Sequence, residues 1–532
     1  MFSRLLSRSL LPLALIIAVF GLSACDQAGV EPKGLATAEN IFQEEGSYQS
    51  YLAKLYAGLN VTGQTGATGS PDIEGIDEGF SQYIRLWWQM QELPTDEAVL
   101  AYSDGSVQQL NDFTWGSDNG FTSAMYSRVS FQVMHANEFL RESTESRLNE
   151  RNVSESVRSR IPQWRAEARF LRALSYWHGL DLFGNIPVVT EEDPRGGAPP
   201  EQNTRQEVFN FVESELLAIT DGEGEENLPP IGQSEYGRAD RAAAYMVLAN
   251  LYLNAEVYVG EPRYADVVEY TSRIIDSGQY SLESNYQDVF LADNHTANGV
   301  IFAIPHDGSS TRHYGGTQFL THAAVGPPME PAEYGIDSGY QGLRVTAPSY
   351  QRFAAADDRG IFYTDDLTLE INNLTAWGQG YASPKYQNVT SDGNAGSNAT
   401  FPDTDYPMFR LGEAYLMYAE AVLRGGGGDQ ARAQTLLNDL RERAGLGRDI
   451  GTASGPSLTL DFILDERGRE LFWEARRRTD LIRYGLYTTN EYLWPWKGAV
   501  QGGQSVEDHL RLYPLPSSEL QVNPNLEQNP DY

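Results

Sequence analysis

Apolar and aromatic positions recur every three to four residues along most of this chain, and that spacing predicts helices. A first helix runs from Ile41 to Leu59. A second carries Tyr83, Leu86, Trp87 and Met90 and ends near Pro94, and a third surrounds Tyr126, Val133 and Phe139. The clearest run is Trp164 to Leu182, where Ala168, Leu171, Ala173, Leu174, Trp177 and His178 make a broad small-and-aromatic face, and Gly184 then Pro187 stop it. Thr204 caps the next helix, through Val208, Phe211, Val212 and Leu216. Arg238–Ala255 is followed by a partner from Tyr264 to Ile275, and Phe409–Leu423 by Gln430–Arg443 across the run Gly425 to Gly428.

Small residues on one helix facing aromatic and aliphatic ones on the next allow close approach of the axes, as in stacked tetratricopeptide-like hairpins. The spacing is irregular, so the expected fold class is mainly α: tetratricopeptide-like helical hairpins over about 41–290 and 406–480, forming a scaffold with a loop-rich insertion. That insertion, about 294–405, is dense in Gly, Asn, Asp, Thr and Tyr and carries few short strands, Val300–Ile304 being one. Ordering so much irregular chain costs on the order of 1–2 kcal/mol per residue in backbone entropy, which points to binding as its role.

Ahead of the helices, Arg4 and Arg8 precede an apolar stretch from Leu10 to Leu22, and Leu22-Ser23-Ala24-Cys25 closes it. The stretch is short for a membrane span. The order of basic, apolar and small residues resembles a bacterial lipoprotein signal, with 1–24 removed and Cys25 acylated. A thiolate is the nucleophile such acylation needs. Residues 25–40 then form a lipidated tether, and 41–532 the functional domain. Cys25 is the only cysteine of the 532 residues, so the mature body has no disulfide, redox pair or thiolate metal site.

The formal net charge of -34 excludes a nucleic-acid partner, whose phosphates need basic side chains, and disfavours anionic substrates. Catalytic motifs are missing too. There is no His-Glu-x-x-His, no Gly-x-Ser-x-Gly and no phosphate-cradling loop, and the Gly425–Gly428 run is turn chemistry between two helices. Adjacent carboxylates such as Asp96 and Glu97, Asp357 and Asp358, or Asp365 and Asp366 do not make a glycosidase pair, which needs two carboxyls set across a cleft. No EF-hand spacing occurs, and neither a metal nor a cofactor is expected.

The chain is rich in aromatics, with 30 tyrosines and nine tryptophans, and these suit the apolar faces of sugar rings when loops expose them beside planar polar groups. Loop positions that qualify are Tyr102, Trp115, Arg312, Tyr314 and Trp377. Tyr102 and Trp115 lie among Ser, Asp and Asn; Arg312, His313 and Tyr314 precede two glycines; Trp377 sits between Asn373 and Gln379. Trp87 and Trp88 are assigned to helix packing, and Trp494 and Trp496 to covering the end of the chain. Arg165, Glu167, Arg169 and Arg172 are expected to pair along one helix face, as are Glu466 to Glu474, whereas Arg476-Arg477-Arg478 is open to a partner protein.

Several separated stretches resemble the SusD/RagB family of surface lipoproteins. They are Pro94-Thr95-Asp96-Glu97-Ala98; Arg165-Ala166-Glu167-Ala168-Arg169-Phe170-Leu171-Arg172-Ala173 with Phe183-Gly184-Asn185-Ile186-Pro187; and Asp240-Arg241-Ala242-Ala243-Ala244-Tyr245. Others are Arg410-Leu411-Gly412-Glu413-Ala414-Tyr415-Leu416, Glu466-Arg467-Gly468-Arg469-Glu470-Leu471, and the tail from Tyr513-Pro514-Leu515-Pro516 to Asn529-Pro530-Asp531-Tyr532. The resemblance implies a non-enzymatic, lipid-anchored protein of the outer membrane, facing the exterior. It would capture oligosaccharide and hand it to a TonB-dependent outer-membrane transporter of the SusC type. Some members of the family serve peptide uptake, so the cargo stays open between glycan and peptide. The alternative is a helical-repeat lipoprotein acting as a protein-interaction scaffold in the cell envelope.

Overall fold

The computed structural model describes residues 41–42, 44, 46–63, 66–67, 71–73, 76–222 and 224–532. Cys25 and its tether lie outside them. From Tyr48 to Tyr532 the chain forms one unit, and among the described residues no helix is long and apolar enough to cross a membrane.

Helices α1 (Ser47–Asn60) and α2 (Tyr83–Glu92) lead into a short strand β1 (Ala98–Leu100), then α3 (Gly105–Asp112) and the long α4 (Gly120–Glu142). The α4 helix packs on α5 (Ile161–Phe183), and α5 packs on α6 (Arg205–Thr220). Thr204 and Glu207 form a capping box that starts α6 as the sequence predicts, satisfying N–H groups that helix ends leave open. Asp240 caps α7 (Arg241–Leu253) by accepting from the Ala242 and Ala243 amides at 2.8 and 3.2 Å. Its alanines are fully buried, and the small face lets α8 (Tyr264–Asp276) come close enough to stack Tyr270 on Tyr252, ring centroids 5.7 Å apart.

The irregular region begins with β2 (Val300–Ile304) and contains α9 (Gly316–Ala323) and β3 (Leu343–Val345) before β4 (Tyr406–Arg410) returns to the scaffold. Both strand pairs are antiparallel. Ala98 lies opposite Val345 and Leu100 opposite Leu343; Val300 lies opposite Arg410 and Ile304 opposite Tyr406. The expected strand at Val300–Ile304 is therefore present, and Phe409 and Arg410 are drawn out of the predicted helix because their backbone pairs with it. Helix α10 (Leu411–Leu423) follows at once and packs on α8, on α11 (Gln430–Arg443) and on α12 (Leu460–Glu470). At Gly426 a Cβ would stand 2.4 Å from the Tyr264 carbonyl oxygen, so glycine is required there for close approach.

The charged motifs are structural: Arg469 pairs with Glu466 along its helix at 2.8 Å as helical spacing predicts, but the α5 motif does not pair that way. Arg165 pairs with Glu226, Arg172 with Glu215 and Glu191, and Glu167 with Arg238, each at 2.5 Å and each between elements instead of along α5. Burial explains the difference, since Glu167 and Arg172 face neighbouring elements and are almost solvent-free. The Arg476-Arg477-Arg478 block is likewise interior, leading into α13 (Arg477–Arg483). Arg476 meets Glu413 at 2.7 Å, Arg477 meets Asp96 at 2.6 Å and Arg478 meets Asp181 at 3.2 Å, which leaves none of the three for a partner protein. Trp87 and Trp88 are core residues as expected, Trp87 stacking on His178 at 3.8 Å and Trp88 donating to the Trp473 carbonyl.

Candidate binding site

The β1–β3 pairing brings residues far apart in sequence to one place. Ala101 donates to the Gly342 carbonyl at 2.9 Å, so Tyr102, next along, lies over Gly342. A Cβ there would be 2.8 Å from the tyrosine ring. The segment 339–342 also pairs with the end of α9: Tyr340 donates to the His322 carbonyl, Gln341 to Val325 and Gly342 to Ala323. This strip holds Tyr340 with its ring stacked on His322, centroids 4.7 Å apart, and its hydroxyl accepting from the Gln318 amide at 2.7 Å. Two sides of the residue are thus fixed before any ligand arrives.

Behind these rings stands Arg85, on the first, mostly apolar turns of α2. Its guanidinium lies between Phe80 and Phe319, 4.4 and 4.2 Å from their centroids. Nη1 donates to the carbonyls of Gly79 and Tyr314, both at 3.0 Å. Nε is buried without a partner, and Nη2 makes no hydrogen bond among the described residues. Among the described residues no carboxylate is in salt-bridge contact with Arg85, and burial holds its pKa down at about 10, with Tyr102, Asp77 and Tyr340 close enough to act against that shift. Burial likewise pushes the Tyr102 hydroxyl up to about 12, with Arg85 pulling it back. Tyr314 completes the group, its ring 5.4 Å from Phe401 and its field reaching Tyr340. Tyr102 and Tyr340, both half-buried, therefore lie near one arginine, Tyr314 accepts from it through its carbonyl, and the arginine's remaining donors have no acceptor among the described residues. Flat apolar faces beside unpaired N–H groups suit a ring-shaped polyhydroxyl ligand.

Of the five sequence candidates, Tyr102 and Tyr314 fall into this cluster. Trp377 lies beside it, half-exposed, with its indole N–H on the Pro327 carbonyl at 2.7 Å and its ring against Gly326. Arg312 is exposed and bonds the Gly308 carbonyl of its own loop at 3.1 Å. Trp115 requires correction: it is 4% exposed, its indole N–H donates to the Tyr532 hydroxyl at 2.8 Å, and it packs against Phe113 and Tyr513. Its polar neighbours in sequence point elsewhere, and the indole is a clasp for the chain terminus, not a platform. His313 is buried, its Nδ1 accepting from the Gly315 amide. Arg85 and Tyr340 were not singled out from the sequence. An arginine inside the apolar run Tyr83 to Trp88, and a tyrosine flanked by Gly339 and Gly342, are the signals that mark them.

A separate cleft of about 720 Å³ lies between Val129, Val133 and Met134 of α4 and the C-terminal Val522 and Leu526. Its rim arginines Arg141 and Arg195 are already bound to Glu138, so it lacks convergent polar groups for a hydroxylated ligand. Among the described residues no three His, Cys, Asp or Glu side chains gather at one point where a metal ion would sit.

Comparison with known proteins adds the following. A sequence model of the SusD family matches residues 354–532. The chain is 36% identical over 542 residues to the starch-binding protein SusD of Bacteroides thetaiotaomicron, covering 92% of this chain and 93% of that protein. It is 24% identical over 552 residues to SusD-like protein P2 of Formosa agariphila, covering 97% and 98% of the two. Among solved structures, surface glycan-binding protein A of Bacteroides thetaiotaomicron in complex with laminarihexaose superposes with a TM-score of 0.68 at 20% identity, over 91% of this chain and 98% of that one. The same protein from Bacteroides fluxus gives 0.68 at 21% identity, over 92% and 100%.

Proposed function

The chain belongs to the SusD family, and from that premise we propose that it is a non-catalytic, lipid-anchored binding protein of the outer-membrane surface that captures oligosaccharide for a TonB-dependent transporter. The observation that carries this reading is the Arg85 cluster, in which Tyr102, Tyr314 and Tyr340 frame donors left without acceptors. The cargo favoured is a starch-type α-glucan, because the relative named for binding starch shares 36% of its residues with this chain over nearly its whole length. A neutral glycan also suits a chain of net charge -34. Anchoring at Cys25 confines the protein near its transporter and raises the effective concentration, so modest affinity is adequate and release remains easy.

Titration calorimetry of the purified full chain with maltoheptaose, laminarihexaose and a mixed peptide pool tests this. The expected result is binding of maltoheptaose without its hydrolysis. Tyr340→Ala and Arg85→Met should each weaken it about tenfold or more, the loss of roughly 1.4 kcal/mol. A response to peptide alone would overturn the glycan reading. Release of shorter sugars by the pure protein would overturn the non-catalytic one.

A further inference from the structure

We propose that Trp377 and Gln341 form a second sugar subsite, next to the Arg85 cluster along the 339–342 strip, so that the protein reads an oligosaccharide longer than the tyrosines alone can cover. The inference rests on the glycan reading above and deepens it.

Three observations converge. The side chains of Trp377 and Gln341 close over Gly326: a Cβ on that glycine would stand 2.6 Å from Gln341 Cγ and 2.6 Å from Trp377 Cε2. Only a residue without a side chain leaves room for both. Gln341 is exposed, its amide makes no hydrogen bond among the described residues, and its backbone is held at φ 53°, in the left-handed region where a non-glycine residue is strained. Such strain persists only where the surroundings enforce it, and it is a mark of functional positions. Here it sets the amide beside an indole whose own N–H is already satisfied by Pro327. An aromatic face with a planar donor and acceptor at its edge is the pairing a sugar ring requires.

The third observation is how the Trp377 loop is held. Arg344, on β3 opposite Val99, is fully buried and forms no salt bridge with a carboxylate among the described residues. Its guanidinium donates to the carbonyls of Ala376 at 2.6 Å, Gln379 at 2.5 Å and Leu374. Burial lowers its pKa to about 10. Burying a cation against carbonyls alone is unfavourable unless it fixes something of use, and what it fixes is the backbone on either side of Trp377. The Gln379 side chain tightens the same turn by accepting from the Asn372 and Asn373 amides, both at 2.8 Å. Because Tyr340 and Gln341 are consecutive, their Cα atoms are about 3.8 Å apart. A glycan lying on the Tyr340 ring therefore needs only a short extension to reach Trp377.

Calorimetry with maltotriose and maltoheptaose on the full chain and three variants tests the proposal. Wild type should bind maltoheptaose more tightly. Trp377→Ala and Gln341→Gly should each weaken maltoheptaose roughly tenfold and leave maltotriose unchanged, whereas Tyr340→Ala should weaken both. Gln341→Gly removes the amide while suiting the positive φ, so it reports on the subsite even if Trp377→Ala disturbs its loop. Unchanged maltoheptaose affinity in Gln341→Gly and Trp377→Ala overturns the subsite and leaves the glycan reading standing. Failure of wild type to bind either sugar overturns the reading beneath it.

Discussion

Replacing Asp96 and Glu92 by their amides is a nearly isosteric pair of changes for which the structure demands opposite outcomes. Three buried carboxyls, Glu92, Asp96 and Glu97, share two guanidinium groups, Arg352 and Arg477. Asp96 accepts from Arg477 Nε at 2.6 Å, from Arg352 and from the Tyr492 hydroxyl at 2.5 Å. Burial pushes its carboxyl up, but the Arg477 and Arg352 charges outweigh that and hold it below the usual carboxylate range. Glu92 accepts the Arg476 amide on Oε1 at 3.2 Å, and its Oε2 is buried with no hydrogen-bond partner among the described residues. Burial, then the charge of Glu97, drive its pKa well above the ordinary value, which favours its neutral form. Breaking a buried ion pair costs about 3–5 kcal/mol, whereas an amide in place of a neutral acid costs about 1 kcal/mol or less. With an unfolding entropy near 2.1 cal/mol/K per residue, a chain of this length loses roughly 1 °C of Tm per kcal/mol. Asp96→Asn should then lower Tm by about 3–5 °C, and Glu92→Gln by about 1 °C at most, in scanning calorimetry at pH 7. Equal losses from both changes would refute the assignment of the proton.

The contribution of Glu97 and Asp405 to stability should also fall as pH rises from about 5 to 8. Burial raises Glu97 to about 7 and Asp405 to about 6, above their unfolded values, so the folded state holds protons that the unfolded state has released. Their contribution is complete below the unfolded pKa and is lost as pH passes the folded one. Urea midpoints of the wild type and Glu97→Gln across that range measure it, and the advantage of the wild type over the variant should shrink as pH rises. Trp115→Ala should cost about 3–5 kcal/mol of stability, as a buried indole does, while leaving maltoheptaose affinity unchanged; a binding defect in the folded variant would restore Trp115 to the site. Arg344→Met should leave the tyrosine cluster able to bind maltotriose and weaken maltoheptaose as Trp377→Ala does, read by the same titrations.

The scaffold was legible because its information is local. Apolar spacing, a capping threonine at 204 and a stop at Gly184 act within one or two turns, and the helices from 161 to 276 and from 411 to 443 follow them closely. Ion pairing was misread because helical spacing says which residues share a face but not what lies opposite. Glu167 meets Arg238 and Arg172 meets Glu215, partners 71 and 43 positions away. The site was half legible for the same reason. Tyr102, Tyr314 and Trp377 announce themselves by aromatic character within polar loops, but Trp115 has the same local signature and is buried by a tyrosine more than four hundred positions on. Arg85 and Tyr340 carry no such local signal, because it is the β1–β3 register that brings residues near 100 and near 342 together.

That register also bears on what kind of cargo the protein admits. Acidic side chains number 73 against 39 lysines and arginines, and many of the basic ones, among them Arg172, Arg359, Arg410, Arg477 and Arg483, are interior and matched to carboxylates. The outer surface is correspondingly more acidic than a uniform spread of the same residues would make it, and it repels anionic polymers before they reach the loops. Arg85 is different, because its neighbours are carbonyls and phenols. It keeps donor capacity with no carboxylate in salt-bridge contact among the described residues, which an uncharged hydroxyl can use and which a carboxylate must cross the surrounding negative field to reach. On the proposed reading, selection for a neutral glycan arises from two separated features: a surface whose excess charge excludes, and Arg85, set beside aromatic rings with no carboxylate in salt-bridge contact among the described residues, which holds what is admitted.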